Sequence, residues 1–186
     1  MKVGVLALQG AFIEHEILLK KMGAEVTELR CASDAKSSYD ALVLPGGEST
    51  VQGKLLRELG MFDEIRNRIA GGMPVLGTCA GMILLAERLN DGSEPHLATM
   101  PITVKRNAYG RQLGSFRTIG TYAGREMPMT FIRAPYAESM GEGCQVLAVH
   151  DEKIVAVRFE NQFALAFHPE LDAEMSVYED LLSASR

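Results

Sequence analysis

The chain has 186 residues, of which 47% are hydrophobic and 23% charged, a composition typical of a globular protein that buries its own core. A net charge of −5 without a basic stripe argues against nucleic acid as a partner, and no apolar run is long enough to predict a membrane span. Cys31, Cys79 and Cys144 are too few and too scattered for a disulfide framework or a zinc site. They favour a reducing, cytoplasmic setting.

The first half of the chain alternates short apolar runs with helical patterns. Its first run, Val3–Leu8, predicts a strand, because the apolar segment is too short for a signal peptide. The other predicted strands are Glu25–Leu29, Ala41–Leu44 and Pro74–Leu76, and the predicted helices are Ile13–Met22, Thr50–Leu59, Phe62–Ile69 and Met82–Leu89. Apolar strands that alternate with helices indicate an α/β fold, a three-layer sandwich with a central, mostly parallel sheet.

The second half is rich in predicted strands. They cover Ile102–Lys105, Thr130–Arg133, Gln145–Val149, Ile154–Phe159 and Phe163–Phe167. The segment 151–153 is typical of a hairpin turn, and Ser176–Ser183 predicts a closing helix. No linker or repeat divides the chain, so residues 1–186 are expected to form a single domain.

One cysteine lies at the turn between a predicted strand and a predicted helix. The segment Gly77-Thr78-Cys79-Ala80-Gly81 has the small-x-nucleophile-x-small pattern of a nucleophile elbow, a sharp turn that exposes a reactive side chain. A helix N-terminus behind Cys79 would favour its thiolate. The pattern by itself also fits an ordinary buried cysteine.

A histidine and a glutamate follow the last predicted strand, in Phe167-His168-Pro169-Glu170. Functional groups gather beyond the carboxyl ends of parallel strands, so His168 is expected to reach Cys79 from a neighbouring strand. It would act as general base and then as general acid, while Glu170 holds its second ring nitrogen. The alternative is a strand-terminal histidine beside a solvated glutamate.

A glycine-rich loop, Pro45-Gly46-Gly47-Glu48-Ser49-Thr50, joins another strand to a helix. Adjacent glycines can present backbone N–H groups to an oxyanion, and the N–H of Ala80 would supply a second donor. The loop also fits a turn in which Ser49 or Thr50 caps the helix. It is not a Walker A loop, because it lacks the Gly-Lys-Ser/Thr ending.

Together these three motifs resemble the class I (triad) glutamine amidotransferases. Further segments narrow the resemblance to the glutaminase subunits of pyridoxal 5′-phosphate synthase, the PdxT/SNO family: Leu6–Phe12 with Glu14-His15, then Arg106–Gln112, then Phe131–Pro135. The resemblance runs from Val3 to Leu171, nearly the whole chain.

The resemblance implies a flavodoxin-like class I amidotransferase fold that hydrolyses L-glutamine to L-glutamate and ammonia through a cysteinyl thioester. It implies a triad of Cys79, His168 and Glu170. The implied oxyanion hole is formed by Gly47 and Ala80, and the implied glutamine contacts are Gly46, Gly47, Glu48, Arg106, Ile132 and Arg133. An arginine also suits the α-carboxylate of glutamine on chemical grounds, since its guanidinium matches that group bidentately.

The resemblance also implies a partner, the pyridoxal 5′-phosphate synthase subunit, of TIM-barrel type, which would receive the ammonia. It implies no cofactor or metal for this chain, and pyridoxal 5′-phosphate is the product of the assembly. Gln9 is expected at the synthase interface, at the sheet edge where its amide can hydrogen-bond a neighbouring loop, and docking there would select the active orientation of the Gly46-Gly47 peptide. The alternative is that Gln9 merely caps a surface loop.

Two other functions fit parts of the sequence. An α/β-hydrolase-type cysteine esterase also uses an elbow, but that fold places its acid before the histidine, whereas Glu170 follows His168. A non-catalytic regulatory subunit on the same fold would not require an intact triad.

The expectations for several other residues are less specific. Arg117 stands where the family pattern has an acidic residue, and it is expected to affect at most a local partner contact. Cys31 and Cys144 are expected to be packing thiols, and His15 a helix residue near the subunit interface.

Overall fold

One large sheet organises residues 1–107 and 114–184, the part of the chain that this computed structural model describes. The strands of this part are β1 (Lys2–Leu6), β2 (Glu25–Leu29), β3 (Ala41–Leu44), β4 (Val75–Thr78), β5 (Ala86–Leu89), β6 (Met100–Lys105), β7 (Ser115–Tyr122), β8 (Arg125–Ile132), β9 (Tyr136–Met140), β10 (Cys144–His150), β11 (Lys153–Phe159) and β12 (Gln162–Leu165). Its helices are α1 (Phe12–Lys21), α2 (Ala32–Ala35), α3 (Ser49–Glu58), α4 (Phe62–Ala70), α5 (Ala80–Leu85) and α6 (Ser176–Ala184), with a 3₁₀ turn at Pro169–Leu171. Residues 108–112 of the family-like segment Arg106–Gln112 lie outside the described residues.

The sheet confirms the predicted α/β class. Its strand order is β2-β1-β3-β4-β12-β11-β9-β6-β5, with β10 paired to β11. The first five strands in this order run parallel, as do β5 and β6, and antiparallel pairs join the rest. A separate antiparallel ribbon is formed by β7 and β8. No helix within the described ranges is long and apolar enough to cross a membrane.

The central strands are buried on both faces. Every residue of β3, β4 and β12 is buried, because helices cover the sheet above and below. Such strands have continuous apolar sequences without alternation, and the prediction for Ala41–Leu44 matches β3 at both ends. Glu25–Leu29 likewise matches β2.

One predicted helix is wrong over half of its length. The pattern predicted a helix over Met82–Leu89, but α5 covers only Ala80–Leu85, and the chain then leaves the helix to form β5. Ala86 and Leu89 are buried while the two residues between them are exposed, and β5 pairs with β6 in parallel. This tertiary pairing overrides a helical propensity that is only a weak local preference.

The β7–β8 ribbon supports the end of β12. Phe116 stacks on Phe131 with ring centroids 4.7 Å apart, and Phe131 meets Phe167 edge-on at 5.8 Å. The backbone N–H of His168 donates to the carbonyl oxygen of Thr130 in β8 at 2.8 Å. The ribbon therefore fixes the direction in which the chain leaves the sheet after β12.

Candidate active site

Four neighbouring parallel strands end at the same edge of the sheet. Beyond β1 lies Gln9, beyond β3 lies the Gly46-Gly47 loop, beyond β4 lies Cys79, and beyond β12 lies His168. Thr78 pairs with Leu165 in register, so the cysteine and the histidine leave adjacent strands at nearly the same level. The topology alone brings these groups together, as expected for ligand sites in open parallel sheets.

Cys79 lies at the apex of a strained strand-to-helix turn. Its backbone has φ 48° and ψ −98°, a conformation that non-glycine residues rarely adopt, and its N–H donates to the carbonyl oxygen of Leu165 at 2.7 Å. At Gly81 a Cβ would collide with the carbonyl oxygen of Leu44, so only glycine lets the elbow pack this closely on β3.

His168 and Glu170 form a buried pair. The Nδ1 atom of His168 lies 2.6 Å from Oε1 of Glu170. An ionised carboxylate can only accept, so Nδ1 carries the proton and Nε2 is left to interact with Cys79. Burial by itself would lower the pKa of His168, but its bonds to Cys79 and then Glu170 outweigh burial and raise the pKa to about 10.

Glu170 remains ionised although it is buried. Burial works to raise its pKa, but the nearby His15 and the hydrogen bond from His168 lower the pKa overall. A charged carboxylate behind the imidazole stabilises the imidazolium form and fixes the tautomer. The arrangement can therefore hold Cys79 as a thiolate paired with a protonated histidine.

The glycine-rich loop lies directly against His168. A Cβ on Gly46 would collide with Cε1 of His168, and a Cβ on Gly47 would come within 2.5 Å of the side-chain oxygen of Gln9. The capping residue of α3 is Glu48, whose carboxylate accepts from the hydroxyl of Thr50 at 2.9 Å. The expectation that Ser49 or Thr50 caps this helix is therefore wrong.

Several hydrogen bonds hold this loop to the segment after β1. The backbone N–H of Glu48 donates to Oε1 of Gln9 at 2.8 Å, and the N–H of Ala11 donates to the carbonyl oxygen of Gly46 at 3.1 Å. The buried amide of Gln52 donates to the carbonyl oxygen of Gln9 at 2.9 Å. The orientation of the Gly46-Gly47 peptide is thus tied to residues 9–11.

Arg106 is held at the cavity wall by a residue that the sequence did not single out. Its guanidinium donates to Oδ2 of Asp91 through Nη2 and through Nε, the latter at 3.0 Å. The side chain of Ser93, then its backbone N–H and then Arg106 lower the pKa of Asp91 to about 2. Asp91 is 15 positions from Arg106, and no local pattern connects the two.

The predicted residues surround one cavity of about 340 Å³. Nine of them line it: Gln9, Gly46, Gly47, Glu48, Cys79, Arg106, Ile132, Arg133 and His168. The carbonyl oxygen of Ile132 lies 3.8 Å from the sulfur of Cys79, and Arg133 has a positive φ of 43°. Glu170 lies behind His168, and Ala80 begins α5 directly after Cys79.

Three other expectations were incomplete or wrong. His15 lies on a helix as expected, but it is completely buried and lies 3.5 Å from Glu170. Arg117 forms an ion pair at 2.8 Å with Asp172, just beyond the 3₁₀ turn that carries Glu170. Cys31 is exposed rather than packed. His15 could have been found from the sequence, because with Leu18 and Leu19 it forms the i, i+3, i+4 stripe of a buried helix face.

Within residues 1–107 and 114–184, no three His, Cys, Asp or Glu side chains cluster as metal ligands would.

The model of the SNO glutamine amidotransferase family matches residues 5–183 of the chain. The pyridoxal 5′-phosphate synthase subunit PdxT of Desulfitobacterium hafniense strain Y51 is 56% identical over 185 residues, covering 99% of this chain and 93% of that protein. PdxT of Methanocorpusculum labreanum is 53% identical over 183 residues, covering 98% of this chain and 96% of its own length.

Solved structures show the same fold. A crystal structure described as a glutamine amidotransferase superposes with a TM-score of 0.92 at 41% identity, covering 98% of both chains. PurLQS from Thermotoga maritima superposes with a TM-score of 0.74 at 17% identity over 100% of this chain and 99% of that one, which is a likeness of fold alone. These similarities confirm the predicted class I amidotransferase architecture.

Proposed function

The chain belongs to the SNO glutamine amidotransferase family, and from this premise we propose which of its residues perform the reaction. Its function is the hydrolysis of L-glutamine to L-glutamate and ammonia, which supplies a synthase subunit with ammonia for pyridoxal 5′-phosphate biosynthesis. The observation that carries the assignment of residues is the geometry of the sheet edge. Four adjacent strand ends place the cysteine, the histidine and the glycine-rich loop around one cavity.

Cys79 is the nucleophile in this proposal. Its thiolate attacks the side-chain amide carbon of glutamine, and His168 donates a proton to the departing nitrogen as the C–N bond breaks and ammonia leaves. A water molecule then attacks the γ-glutamyl thioester and gives its proton to His168. The C–S bond breaks, which releases glutamate and restores the thiolate. Glu170 keeps the imidazole oriented through both steps by its hydrogen bond to Nδ1.

The tetrahedral intermediates carry an oxyanion, for which Gly47 and Ala80 are the proposed backbone donors. Loss of one such donor costs about 3 kcal/mol of transition-state stabilisation. The two N–H groups belong to segments that meet at the cavity, since His168 packs on Gly46 and Ala80 follows Cys79. The N–H of Ala11 holds the carbonyl oxygen of Gly46, so turning the Gly46-Gly47 peptide requires this hydrogen bond to break.

The ends of glutamine have complementary groups in the cavity. Arg106 and Arg133 can bind the α-carboxylate, and the carboxylate of Glu48 suits the α-ammonium group. Gly46 and Ile132 contribute wall contacts beside Cys79. The cavity volume of about 340 Å³ is at the small end of ligand pockets and suits a single amino acid.

Ammonia release from L-glutamine tests the assignment directly. The chain is assayed with its cognate synthase subunit, and a p-nitrophenyl ester serves as the alternative substrate. Turnover of glutamine that depends on Cys79, without comparable ester hydrolysis, supports the proposal. Ester hydrolysis without ammonia release would instead indicate the cysteine esterase, and activity in neither assay would indicate the regulatory subunit.

A pyridoxal 5′-phosphate synthase subunit is the partner that receives the ammonia. We also propose that this subunit is of TIM-barrel type and that residues 1–186 form one glutaminase domain. We further propose that the protein works in the cytoplasm without nucleic acid or membrane partners. The net charge of −5 and the three free cysteines support this setting.

Asp91→Ala is expected to raise the KM for glutamine several-fold while kcat changes little. Asp91 anchors Arg106 beside the cavity, so its removal releases the guanidinium that binds the substrate carboxylate but leaves the triad untouched. Steady-state kinetics with the synthase present measure both parameters. Ser93→Ala, which removes only one of the bonds to Asp91, is the matched control and should have a smaller effect. A fall in kcat at constant KM would contradict this role.

Gln9→Ala is expected to weaken activation by the synthase. Its side chain holds the backbone of Glu48, and its own backbone is held by Gln52, so docking on residues 9–11 can change the preferred orientation of the Gly46-Gly47 peptide. A shift of only a few kcal/mol between two orientations is enough to switch activity. The measurement compares wild type and variant, each with and without saturating synthase. Equal wild-type rates in both conditions would refute partner activation, and unchanged activation in Gln9→Ala would exclude this role for Gln9.

A further inference from the structure

A completely buried histidine lies beside the acid of the triad. His15, on α1, has its Nδ1 atom 2.7 Å from the hydroxyl of Tyr178 on α6. Its Nε2 atom lies 3.2 Å from Oγ1 of Thr78 and 3.5 Å from Oε2 of Glu170. The glutaminase mechanism described above uses neither His15 nor Tyr178.

The proton positions in this cluster follow from burial. Burial raises the pKa of Tyr178 well above its usual value, so the phenol stays protonated. Burial is also the main cause that lowers the pKa of His15, against the opposing influence of Glu170, so the imidazole is neutral. A phenol that donates to Nδ1 leaves the single imidazole proton on Nε2. That N–H faces Thr78 and Glu170.

The carboxylate of Glu170 needs an N–H group beside its second oxygen. Its Oε1 atom binds His168 at 2.6 Å, whereas its Oε2 atom is buried and has no hydrogen-bond partner among the described residues. A buried charged oxygen without a compensating dipole is costly and favours protonation of the group. Of the titratable groups that face Glu170, His168 belongs to its own segment, His15 comes from α1 and Tyr178 from α6.

We propose that His15 is a positioning residue of the glutaminase, which keeps Glu170 ionised and turned toward His168. This inference rests on the proposed roles of Cys79, His168 and Glu170. It also gives α1 a function, because the helix begins directly after residues 9–11, which hold the oxyanion loop. The chain segment from Gln9 to His15 thereby contacts both the acid of the triad and the loop proposed to bind the oxyanion.

The proposal predicts a change in the pH dependence of Cys79 reactivity. Without His15, Glu170 takes up a proton more readily, and His168 loses the charge that stabilises its imidazolium form. The thiolate of Cys79 then forms only at higher pH. The acid edge of Cys79 alkylation is the pH range in which the rate rises as the thiolate forms. In His15→Leu, this edge for alkylation by iodoacetamide should move up by at least about one pH unit, which lowers the rate at a fixed pH on the edge about tenfold. Peptide mass spectrometry follows Cys79 separately from the exposed Cys31.

Two further variants separate positioning from packing. His15→Gln keeps an amide N–H near the position of Nε2 and should restore most of the wild-type profile. Leu18→Ala, on the same buried helix face, should lower the free energy of unfolding without moving the acid edge. If His15→Leu does not fold, Tyr178→Phe replaces it. Tyr178→Phe removes the donor to Nδ1 and should move the edge in the same direction.

The proposal would be overturned if the acid edge of alkylation in His15→Leu coincided with the edges of wild type and Leu18→Ala. If His15→Leu does not fold, the same criterion applies to Tyr178→Phe. A shifted edge that His15→Gln restores supports it. This result is distinct from failure of the proposed function, which would appear as glutamine turnover that survives in Cys79→Ala. Alkylation needs no glutamine, so the two tests do not share a readout.

Discussion

Cys79→Ala is expected to lower kcat for glutamine hydrolysis by about 10⁴-fold to 10⁶-fold, the range seen when a catalytic nucleophile is removed. No other thiol can replace it, because Cys31 is exposed away from the cavity and Cys144 lies half-buried at the start of β10. Burial also raises the pKa of the Cys144 thiol, which makes it less reactive. Ammonia release in the presence of the synthase subunit measures the loss.

A glutamine analogue with a reactive diazo-ketone tests the same residue without relying on turnover. It should label Cys79 and leave Cys31 and Cys144 unmodified, since only Cys79 lines the cavity that accepts the amino acid part. Cys31→Ser is the matched control and should keep both full activity and full labelling. Full glutaminase activity in Cys79→Ala would refute the assignment.

The sequence predicted best those elements that have a clear local sequence pattern. The strands β2 and β3 match their predicted bounds, and the predicted turn at 151–153 joins β10 and β11. Asp151 and Glu152 both have positive φ values, 48° and 60°, as a two-residue hairpin turn requires. The turn depends on neighbouring residues and β3 on complete burial, and both leave a direct trace in the sequence.

The missed elements have weak local patterns or depend on contacts outside those patterns. The ribbon strand β7 was not predicted, because it alternates exposed and partly buried residues and includes a glycine. The edge strand β5 was mistaken for helix, since its sequence favours helix and only pairing with β6 makes it a strand. For β5 the deciding partner is β6, a separate segment, whereas β7 pairs with β8 directly across a two-residue turn and was missed because its own sequence gives a weak strand pattern.

The difference between local patterns and long-range contacts also explains which site residues could be found from the sequence. The groups that act on the substrate belong to compact motifs around Gly46, Cys79 and His168, each of which is visible by itself. Glu170 shares the motif of His168, but the other residues that orient these groups come from elsewhere in the chain. His15 contacts a tyrosine that is 163 positions away, and Asp91 becomes relevant only through the folded position of Arg106.

His168→Asn should reduce turnover by about 10⁴-fold or more, whereas Glu170→Gln should be about 10-fold to 100-fold less damaging. His168 is the base that lines the cavity together with Cys79, so without it neither the thiol nor the departing amine has a proton partner. Glutamine at position 170 keeps a carbonyl oxygen for Nδ1, but it lacks the negative charge that stabilises imidazolium. Rapid-quench measurement of the first turnover isolates the chemical step.

The pH dependence of Cys79 alkylation distinguishes the two roles. The interactions with Cys79 and Glu170 raise the pKa of His168 to about 10, so in wild type the imidazolium persists through neutral pH. Glu170→Gln removes the negative charge, so the pKa of His168 falls toward its usual value and the acid edge of alkylation moves to higher pH. His168→Asn leaves no imidazolium at all, so the rate of Cys79 alkylation should then increase with pH as it does for an ordinary buried thiol. A larger loss of turnover in Glu170→Gln than in His168→Asn, or an alkylation profile in His168→Asn identical to that of wild type, would contradict these roles.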